Sequence, residues 1–159
     1  MKKYELTAEF IEKWGKKLFR IKALIGFGSV EAGELGGYVE KEDNLAQNGN
    51  AWVFDDAEVY GNARVYGDAW VCGNADYLLI GRIGSRFSFT TFFKNKDKGI
   101  TVSCGCFLGT IAEFRAKVTD THGNNKHAKM YNLAADMAEL QILGEEHFDK
   151  LNTNKSEPF

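Results

Sequence analysis

The chain has 159 residues, of which 44% are hydrophobic and 26% are charged, a composition that can bury a core and excludes a disordered chain. Its 20 Lys and Arg against 22 Asp and Glu leave a formal net charge of -2, which excludes a uniformly basic nucleic-acid-binding surface. Three cysteines without framework spacing fit a reducing compartment, and no apolar run is long enough for a membrane helix. We therefore expect a cytoplasmic protein.

Residues 1–34 are predicted to form an N-terminal capping β element. Apolar and polar side chains alternate over residues 18–25, which predicts a strand that pairs with residues 4–6 or with the first turn of the repeat that follows. A short helix is predicted over residues 7–13, with Thr7 as its N-cap.

The strongest pattern in the chain is a six-residue repeat, which we assign to residues 35–81. From Val53 the sequence reads VFDDAE, VYGNAR, VYGDAW and VCGNAD, with valine at the first place and alanine at the fifth. Gly-Asn and Gly-Asp supply the positive φ of sharp corners, and β-branched valine suits a short strand. A period of six fits neither an amphipathic helix nor a meander, and it indicates a parallel β-solenoid.

The repeat resembles that of the hexapeptide-repeat proteins, whose left-handed β-helix is built from three hexapeptides per turn. The resemblance implies a triangular prism with valine pointing inward and alanine near the corners. The predicted fold class is therefore a β-solenoid plus α+β: a short left-handed parallel β-helix with the N-terminal β cap and a C-terminal ββαα module.

The C-terminal module is predicted over residues 82–150, where the six-residue period vanishes. An aromatic-rich strand over residues 87–93 is followed by a turn at residues 95–99. A second strand over residues 100–106 places Ile100, Val102, Cys104 and Cys106 on one face by simple alternation.

Two helices are predicted to complete the module. Thr110 and Glu113 form a capping box that starts the first helix, which ends at Gly123. The second helix is predicted over residues 126–143 from its apolar spacing. The polar residues 151–159 are predicted to form a flexible tail.

Acyl transfer is one activity that the hexapeptide-repeat resemblance implies, and it needs a histidine on a coil as general base. The three histidines, His122, His127 and His147, all lie outside the repeat. We therefore expect no catalytic residues, no enzymatic activity and no cofactor.

A site built from cysteine and histidine side chains is a second candidate for function. Cys104 and Cys106, followed by His122 and His127, form a loose Cys2His2 pattern. The cysteines are separated by one residue and share a strand face with apolar neighbours, so buried thiols are the favoured interpretation. A nucleophilic thiol needs a nearby base or cation, which His122 supplies only if the fold brings it close. We expect no metal site.

Three lysines in the C-terminal module, Lys94, Lys96 and Lys98, are candidate nucleic-acid contacts. They lie beside phenylalanines, and bases stack on aromatic rings while lysines follow the phosphates. The favoured interpretation is that the phenylalanines are core and the lysines belong to a solvated turn, so direct nucleic-acid binding is not expected.

Aromatic side chains on the repeat form the candidate partner-binding surface. In a prism with three hexapeptides per turn, Trp52 lies above Trp70, and the residue after each valine faces outward. Outward aromatic side chains are typical interface anchors, although packing beneath the N-terminal strand or the C-terminal helices remains the open alternative. With the acidic corners that would contact a basic partner, the candidate set is Trp52, Phe54, Tyr60, Tyr66, Trp70, Asp55, Asp56 and Asp68.

The chain as a whole resembles a hexapeptide-repeat family found mainly in phages and prophages of Gram-positive bacteria. The matching stretches are residues 16–54, the repeat and residues 83–114, and the most specific part is CGCFLGTIAEF at residues 104–114. The resemblance implies a small accessory protein in the cytoplasm of a bacterial host cell. Phage proteins of this kind often bind and block host components, including CRISPR effectors.

We therefore predict non-enzymatic protein–protein binding that inhibits host antiviral defence, as an anti-CRISPR or similar protein. A host immune protein is the expected partner, and a dimer or trimer the expected homo-oligomer. The alternative is a nucleotide-binding sponge formed between protomers, where Gly61, Gly67 and Gly73 let phosphates approach the backbone. A hexapeptide acyltransferase relative is the third option.

Overall fold

The computed structural model describes residues 1–156, with residues 152–156 described by their backbone alone. Within this part the protein has an α+β fold of two four-stranded sheets, one two-stranded sheet and three α-helices, and none of the helices is long and apolar enough to cross a membrane. The strands are β1 (Tyr4–Lys13), β2 (Lys16–Ala23), β3 (Leu35–Val39), β4 (Trp52–Val53), β5 (Glu58–Val59), β6 (Trp70–Val71), β7 (Tyr77–Ile83), β8 (Ser88–Lys94), β9 (Ile100–Cys104) and β10 (Phe107–Thr110), and the helices are α1 (Ile111–His122), α2 (Lys126–Ala138) and α3 (Glu145–Ser156).

The first sheet is mixed, with the strand order β1-β2-β3-β5. Strands β1 and β2 form an antiparallel hairpin in which Tyr4 lies opposite Ala23, and β2 pairs antiparallel with β3. The predicted pairing of the second strand with residues 4–6 is therefore confirmed.

The prediction of a helix over residues 7–13 is wrong, because this segment belongs to strand β1, which ends at Lys13. Phe10 lies opposite Phe19 in the hairpin, and their rings pack with centroids 5.9 Å apart. Phe10 therefore packs across the hairpin and not along one face of a helix. This contact between strands outweighs the local helix propensity of the segment.

Parallel pairing within the repeat is confined to short contacts. Trp52 lies directly opposite Trp70 on the two-residue strands β4 and β6, so the predicted stacking of these residues is confirmed. Val39 of β3 instead pairs with Val59, a spacing of twenty residues. The predicted β-solenoid is wrong: these short pairs form no parallel β-helix within residues 1–156, and the longer, mainly antiparallel sheets on either side hold most of the strand pairing.

The first hydrophobic core lies between the first sheet and the repeat. Gly37 of β3 approaches the backbone carbonyl of Ala57 so closely that a Cβ would overlap it. The valines that the hexapeptide-repeat resemblance places inward are buried in this core, and so are most of the alanines that it places near the corners: Val53, Val59, Val65, Val71, Ala57, Ala63 and Ala69.

The second sheet is antiparallel, with the order β10-β9-β8-β7. It has four strands where the sequence predicts two, and the first of them begins at Tyr77. Phe93 packs into the first core, whereas Phe92 and Val102 pack into a second core with the helices. The sheet therefore separates the repeat on one face from α1 and α2 on the other.

The helices begin close to where the sequence predicts. The hydroxyl of Thr110 accepts a hydrogen bond from the backbone N–H of Glu113, which confirms the capping box of α1, and the helix ends at Gly123. Helix α2 ends at Ala138 and continues as a π-helical segment, Glu139–Leu143. The tail predicted from residue 151 is helical up to Ser156, and residues 157–159 lie outside the described residues.

Candidate ligand-binding cleft

A cleft of about 380 Å³ opens between the helix-facing side of the second sheet and helices α1 and α2. The β7–β8 turn, the β9–β10 turn and one face of α1 contribute its walls. Segments far apart in sequence therefore meet here, which is a common property of ligand sites.

The floor of the cleft is aromatic. The ring of Phe114 lies 5.6 Å from that of Tyr131, edge to face, and 5.8 Å from that of Phe107. The capping box fixes the start of α1, so that Phe114 and Val118, four residues apart, face the cleft together. Gly84 has no side chain to obstruct the Tyr131 hydroxyl, which would overlap a Cβ there.

The rim of the cleft is basic. Arg86, Lys117 and His122 line it, and none of the described lining residues is Asp or Glu. The imidazole of His122 stacks on the ring of Tyr131 at a centroid distance of 5.8 Å. Within the described residues, Arg86 and Lys117 are exposed and form no ion pair or side-chain hydrogen bond. The described lining of the cleft therefore carries two positive charges without a counterion.

The interpretation of Cys104 and Cys106 as buried thiols is wrong for Cys106, which is exposed in the turn after β9, and Cys104 is half-buried. Both cysteines line the same cleft as His122, and the nucleophilic-thiol hypothesis depends on this proximity. The Cys104 sulfur accepts a hydrogen bond from the Thr90 hydroxyl at 3.2 Å. Burial, followed by the charge of Cys104 and a hydrogen bond with it, raises the pKa of Tyr131 to about 12. Tyr131 is therefore a neutral phenol at physiological pH.

The Cys2His2 pattern does not come together as a metal site. The ring of His127 lies 5.4 Å from that of His122, and His127 is not among the residues that line the cleft. No three His, Cys, Asp or Glu side chains of the described chain are grouped so that they could hold a metal ion.

The two tryptophans of the predicted partner surface have different surroundings. Trp52 is only 1% exposed, because its ring packs edge to face against Tyr4 and Phe27. Trp70 is 38% exposed and stacks on Phe54 at a centroid distance of 4.5 Å. An exposed anchor at Trp52 is therefore a wrong prediction, and the alternative of packing beneath the N-terminal strand describes this residue.

The two tyrosines of the predicted surface are half-buried. Tyr60 packs against Trp14 of the β1–β2 turn, with ring centroids 5.5 Å apart. The hydroxyl of Tyr66 donates a hydrogen bond to the backbone carbonyl of Asp43 at 3.3 Å. Both rings are thus partly covered by contacts within the chain.

The carboxylates of the three acidic residues of the predicted partner surface differ in whether they have a partner within the chain. Asp56 forms an ion pair with Arg20 at 3.2 Å, and Asp68 accepts a hydrogen bond from the Thr101 hydroxyl at 3.1 Å. The carboxylate of Asp55 has no such partner among the described residues.

The lysines predicted as candidate nucleic-acid contacts lie at the end of β8 and in the turn that follows. Lys94 is half-buried, whereas Lys96 and Lys98 are exposed. Phe92 and Phe93 are completely buried, so neither can stack on a base. The interpretation of the phenylalanines as core is therefore confirmed for Phe92 and Phe93, but it is wrong for Phe87, which is 68% exposed, and Phe89 is half-buried.

Sequence reasoning missed several residues of the cleft. Arg86, Lys117 and Tyr131 were not among the predicted site residues, because each lies on a different element and becomes a neighbour of the others only in the folded chain. One signal was present in the sequence: Phe114, Val118 and His122 recur every four residues and must share a face of α1.

Part of the chain is similar to a known protein. Over 63 residues the chain is 40% identical to a protein of Escherichia coli described as the uncharacterized acetyltransferase YdcK, a match that covers 35% of this chain and 19% of that protein. The chain thus spans about a fifth of its relative. No family model matches the sequence. The match is compatible with the hexapeptide-repeat resemblance.

Proposed function

We propose that the protein is a non-enzymatic binder of a small anionic molecule of the nucleotide class, held in the cleft. The observation that supports this most directly is the pair of cations Arg86 and Lys117 at the rim, above an aromatic floor and with no carboxylate in the described lining. Two cations without a counterion in that lining stabilise an anion, and an aromatic side chain stabilises a planar ring.

The size and chemistry of the cleft fit a nucleotide. Its volume of about 380 Å³ falls within the roughly 300–1,000 Å³ of typical ligand pockets. The guanidinium of Arg86 can bind a phosphate through two parallel hydrogen bonds, and Lys117 adds a point charge. Phe114 and Tyr131 are buried, whereas Phe107 is half-buried, so the base would stack on Phe107. A base that stacks on an aromatic side chain gains about 1–3 kcal/mol.

The phage resemblance supplies a biological context for such a binder. Within an infected bacterial cell, an accessory protein that withdraws a nucleotide signal would weaken a host defence that depends on that signal. The anti-defence role would then arise from sequestration, and the site would lie within one chain rather than between protomers.

Isothermal titration calorimetry with AMP, adenosine and inorganic phosphate tests this proposal. We expect AMP to bind more tightly than either adenosine or phosphate, and Arg86→Gln to weaken AMP binding at least about 10-fold. Arg82→Gln is the matched control, because Arg82 is exposed, lies four residues earlier and does not line the cleft. Failure of AMP to bind, or an equal loss in both variants, would refute the proposal.

Acyl transfer is a second candidate, favoured by the partial similarity to an uncharacterized acetyltransferase and by His122 at the rim of the cleft. His122 would act as the general base that removes a proton from an acceptor. Release of free CoA from acetyl-CoA in the presence of amine acceptors, lost in His122→Gln, would support this candidate. Binding of acetyl-CoA without turnover would favour the first proposal.

Binding of a host immune protein is a third candidate, favoured by the exposed stack of Trp70 on Phe54. The unpaired carboxylate of Asp55 would contact a basic partner. Copurification of the tagged protein from its host cell, followed by the same experiment with Trp70→Ala, tests it. If the variant still copurifies with the partner, Trp70 does not anchor the interaction.

A further inference from the structure

A second concavity, the groove, lies on the opposite face of the second sheet from the cleft. It has a volume of about 230 Å³ and is lined by residues of the repeat, including Asn62 and Arg64, and by β8 and β9. The backbone N–H of Arg64 donates a hydrogen bond to the hydroxyl of Thr91 at 3.0 Å. This bond joins a corner of the repeat to β8 and forms one wall of the groove.

The groove and the cleft adjoin at the end of the β8–β9 pair. Ser88 and Gly105 line both of them. Gly105 is exposed in the β9–β10 turn, and no other atom lies within 4 Å of the position that a Cβ would occupy there. A ligand longer than the cleft can therefore continue around this end of the sheet without meeting a bulky side chain.

The groove shares two chemical features with the cleft, an arginine and an aromatic ring. Arg64 is exposed and its guanidinium forms no ion pair or hydrogen bond within residues 1–151. It lines the groove together with the half-buried ring of Phe89, and no carboxylate of these residues does so. The groove thus combines an unpaired cation with an aromatic ring, as the cleft does. Asn62 adds an amide that can both donate to and accept from a base edge.

We infer that the natural ligand is a dinucleotide, with one nucleotide unit in the cleft and the other in the groove, and this inference rests on the proposed function. A single molecule that occupies both compartments binds more tightly than two separate nucleotides, because its second contact is intramolecular. Arg86 and Lys117 hold one phosphate and Arg64 holds the other.

Calorimetry with the linear dinucleotide pApA and with AMP tests the inference. We expect one pApA per chain, bound about 100-fold more tightly than AMP, and two AMP per chain. Arg64→Gln should bring the affinity for pApA close to that for AMP and remove one AMP site, whereas Arg86→Gln should remove the other. Arg82→Gln should change neither.

The outcomes distinguish this inference from the proposed function. If AMP binds with a dependence on Arg86 but pApA binds no more tightly, the dinucleotide inference is overturned and the proposed function stands. If neither ligand binds to wild-type protein, both the dinucleotide inference and the proposed function are refuted. Should Arg64→Gln unfold, Asn62→Ala is the substitute, because Asn62 is exposed on the same wall, and unchanged pApA affinity in that variant would count against the groove.

Discussion

Trp52 and Trp70 lie directly opposite each other on adjacent parallel strands, and only Trp70 reaches solvent. Tyr4 and Phe27 cover the indole of Trp52 edge to face, at centroid distances of 6.1 and 5.2 Å. The indole of Trp70 has Phe54 on one face and remains partly accessible. The same residue type at equivalent places therefore serves the core in one case and the surface in the other.

Replacement of the two tryptophans should have unequal effects on stability. We expect Trp52→Ala to lower the free energy of unfolding by about 3–5 kcal/mol, because it empties a core site. Trp70→Ala should cost about 1 kcal/mol, since it loses one ring stack at a partly exposed position. Urea unfolding monitored by circular dichroism measures both. Similar losses for the two variants would contradict the difference in burial.

Gly84 should not tolerate a side chain. A Cβ at this position would overlap the hydroxyl of Tyr131, and the backbone φ of +85° disfavours any other residue. We expect Gly84→Ala to destabilise the protein by more than about 2 kcal/mol. Addition of Tyr131→Phe removes the overlapping hydroxyl and should recover part of this loss in a double-mutant cycle. Strictly additive losses would show that the two residues do not touch.

Arg115 of α1 should stabilise the folded protein, because it neutralises two carboxylates. It donates hydrogen bonds to Asp136 at 2.7 Å and to Glu139, which is 5% exposed. Burial lowers the pKa of Arg115, but hydrogen bonds to these carboxylates outweigh that effect and raise it. Arg115→Met leaves Glu139 as a buried unpaired charge, which should cost about 3–5 kcal/mol.

The double variant Arg115→Met/Glu139→Gln separates the two effects in Arg115→Met. It removes the unpaired charge, so its unfolding free energy in urea should lie between those of wild type and Arg115→Met. A double variant that is less stable than Arg115→Met would show that the charge of Glu139 is not the source of the loss.

Lys3 should make the protein more stable in mild alkali. Its Nζ lies in the first core and donates to the backbone carbonyls of Ala51 at 2.7 Å and Gly49 at 3.3 Å. Burial lowers the pKa of Lys3 from 10.5 to about 8. Between these values the unfolded chain binds more protons than the folded chain at this residue, so its contribution to stability rises with pH.

Comparison with Lys3→Met isolates this effect. Tyrosines such as Tyr131, whose pKa burial raises to about 12, act in the opposite direction, because the stability that they contribute is lost as pH rises from about 10. They are present in both proteins and cancel in the difference. We expect wild type to gain stability relative to Lys3→Met from about pH 8 to pH 10.5 in urea titrations. A constant difference across this range would refute the role of Lys3.

The cysteines should differ in their reaction with Ellman's reagent. Cys72 and Cys106 are exposed and Cys104 is half-buried, while burial followed by the charge of Asp76 raises the pKa of the Cys72 thiol. Because the thiolate is the reactive form, we expect Cys106 to react faster than Cys72. Saturating AMP should slow the reaction of Cys106, which lines the cleft, and leave the reaction rate of Cys72 unchanged. Variants that keep a single cysteine identify each rate.

The sequence alone determined the features that depend on nearby residues. The Thr110 capping box located the start of α1, because the first turn of a helix is set by neighbours in the chain. The hexapeptide-repeat resemblance implied the inward valines, which alternation along a short strand also fits. With three hexapeptides per turn, the same resemblance implied the pairing of Trp52 with Trp70.

Only the tertiary structure decided the fold class, the exposure of each tryptophan and the existence of the cleft. Local pattern shows which way a side chain points but not what covers it, so the burial of Trp52 depended on Tyr4 and Phe27 from distant segments. Pairing with β2 likewise made residues 7–13 a strand. The cleft joins Arg86 to His122 across two elements, because long-range packing, and not spacing along the chain, determines which charges become neighbours.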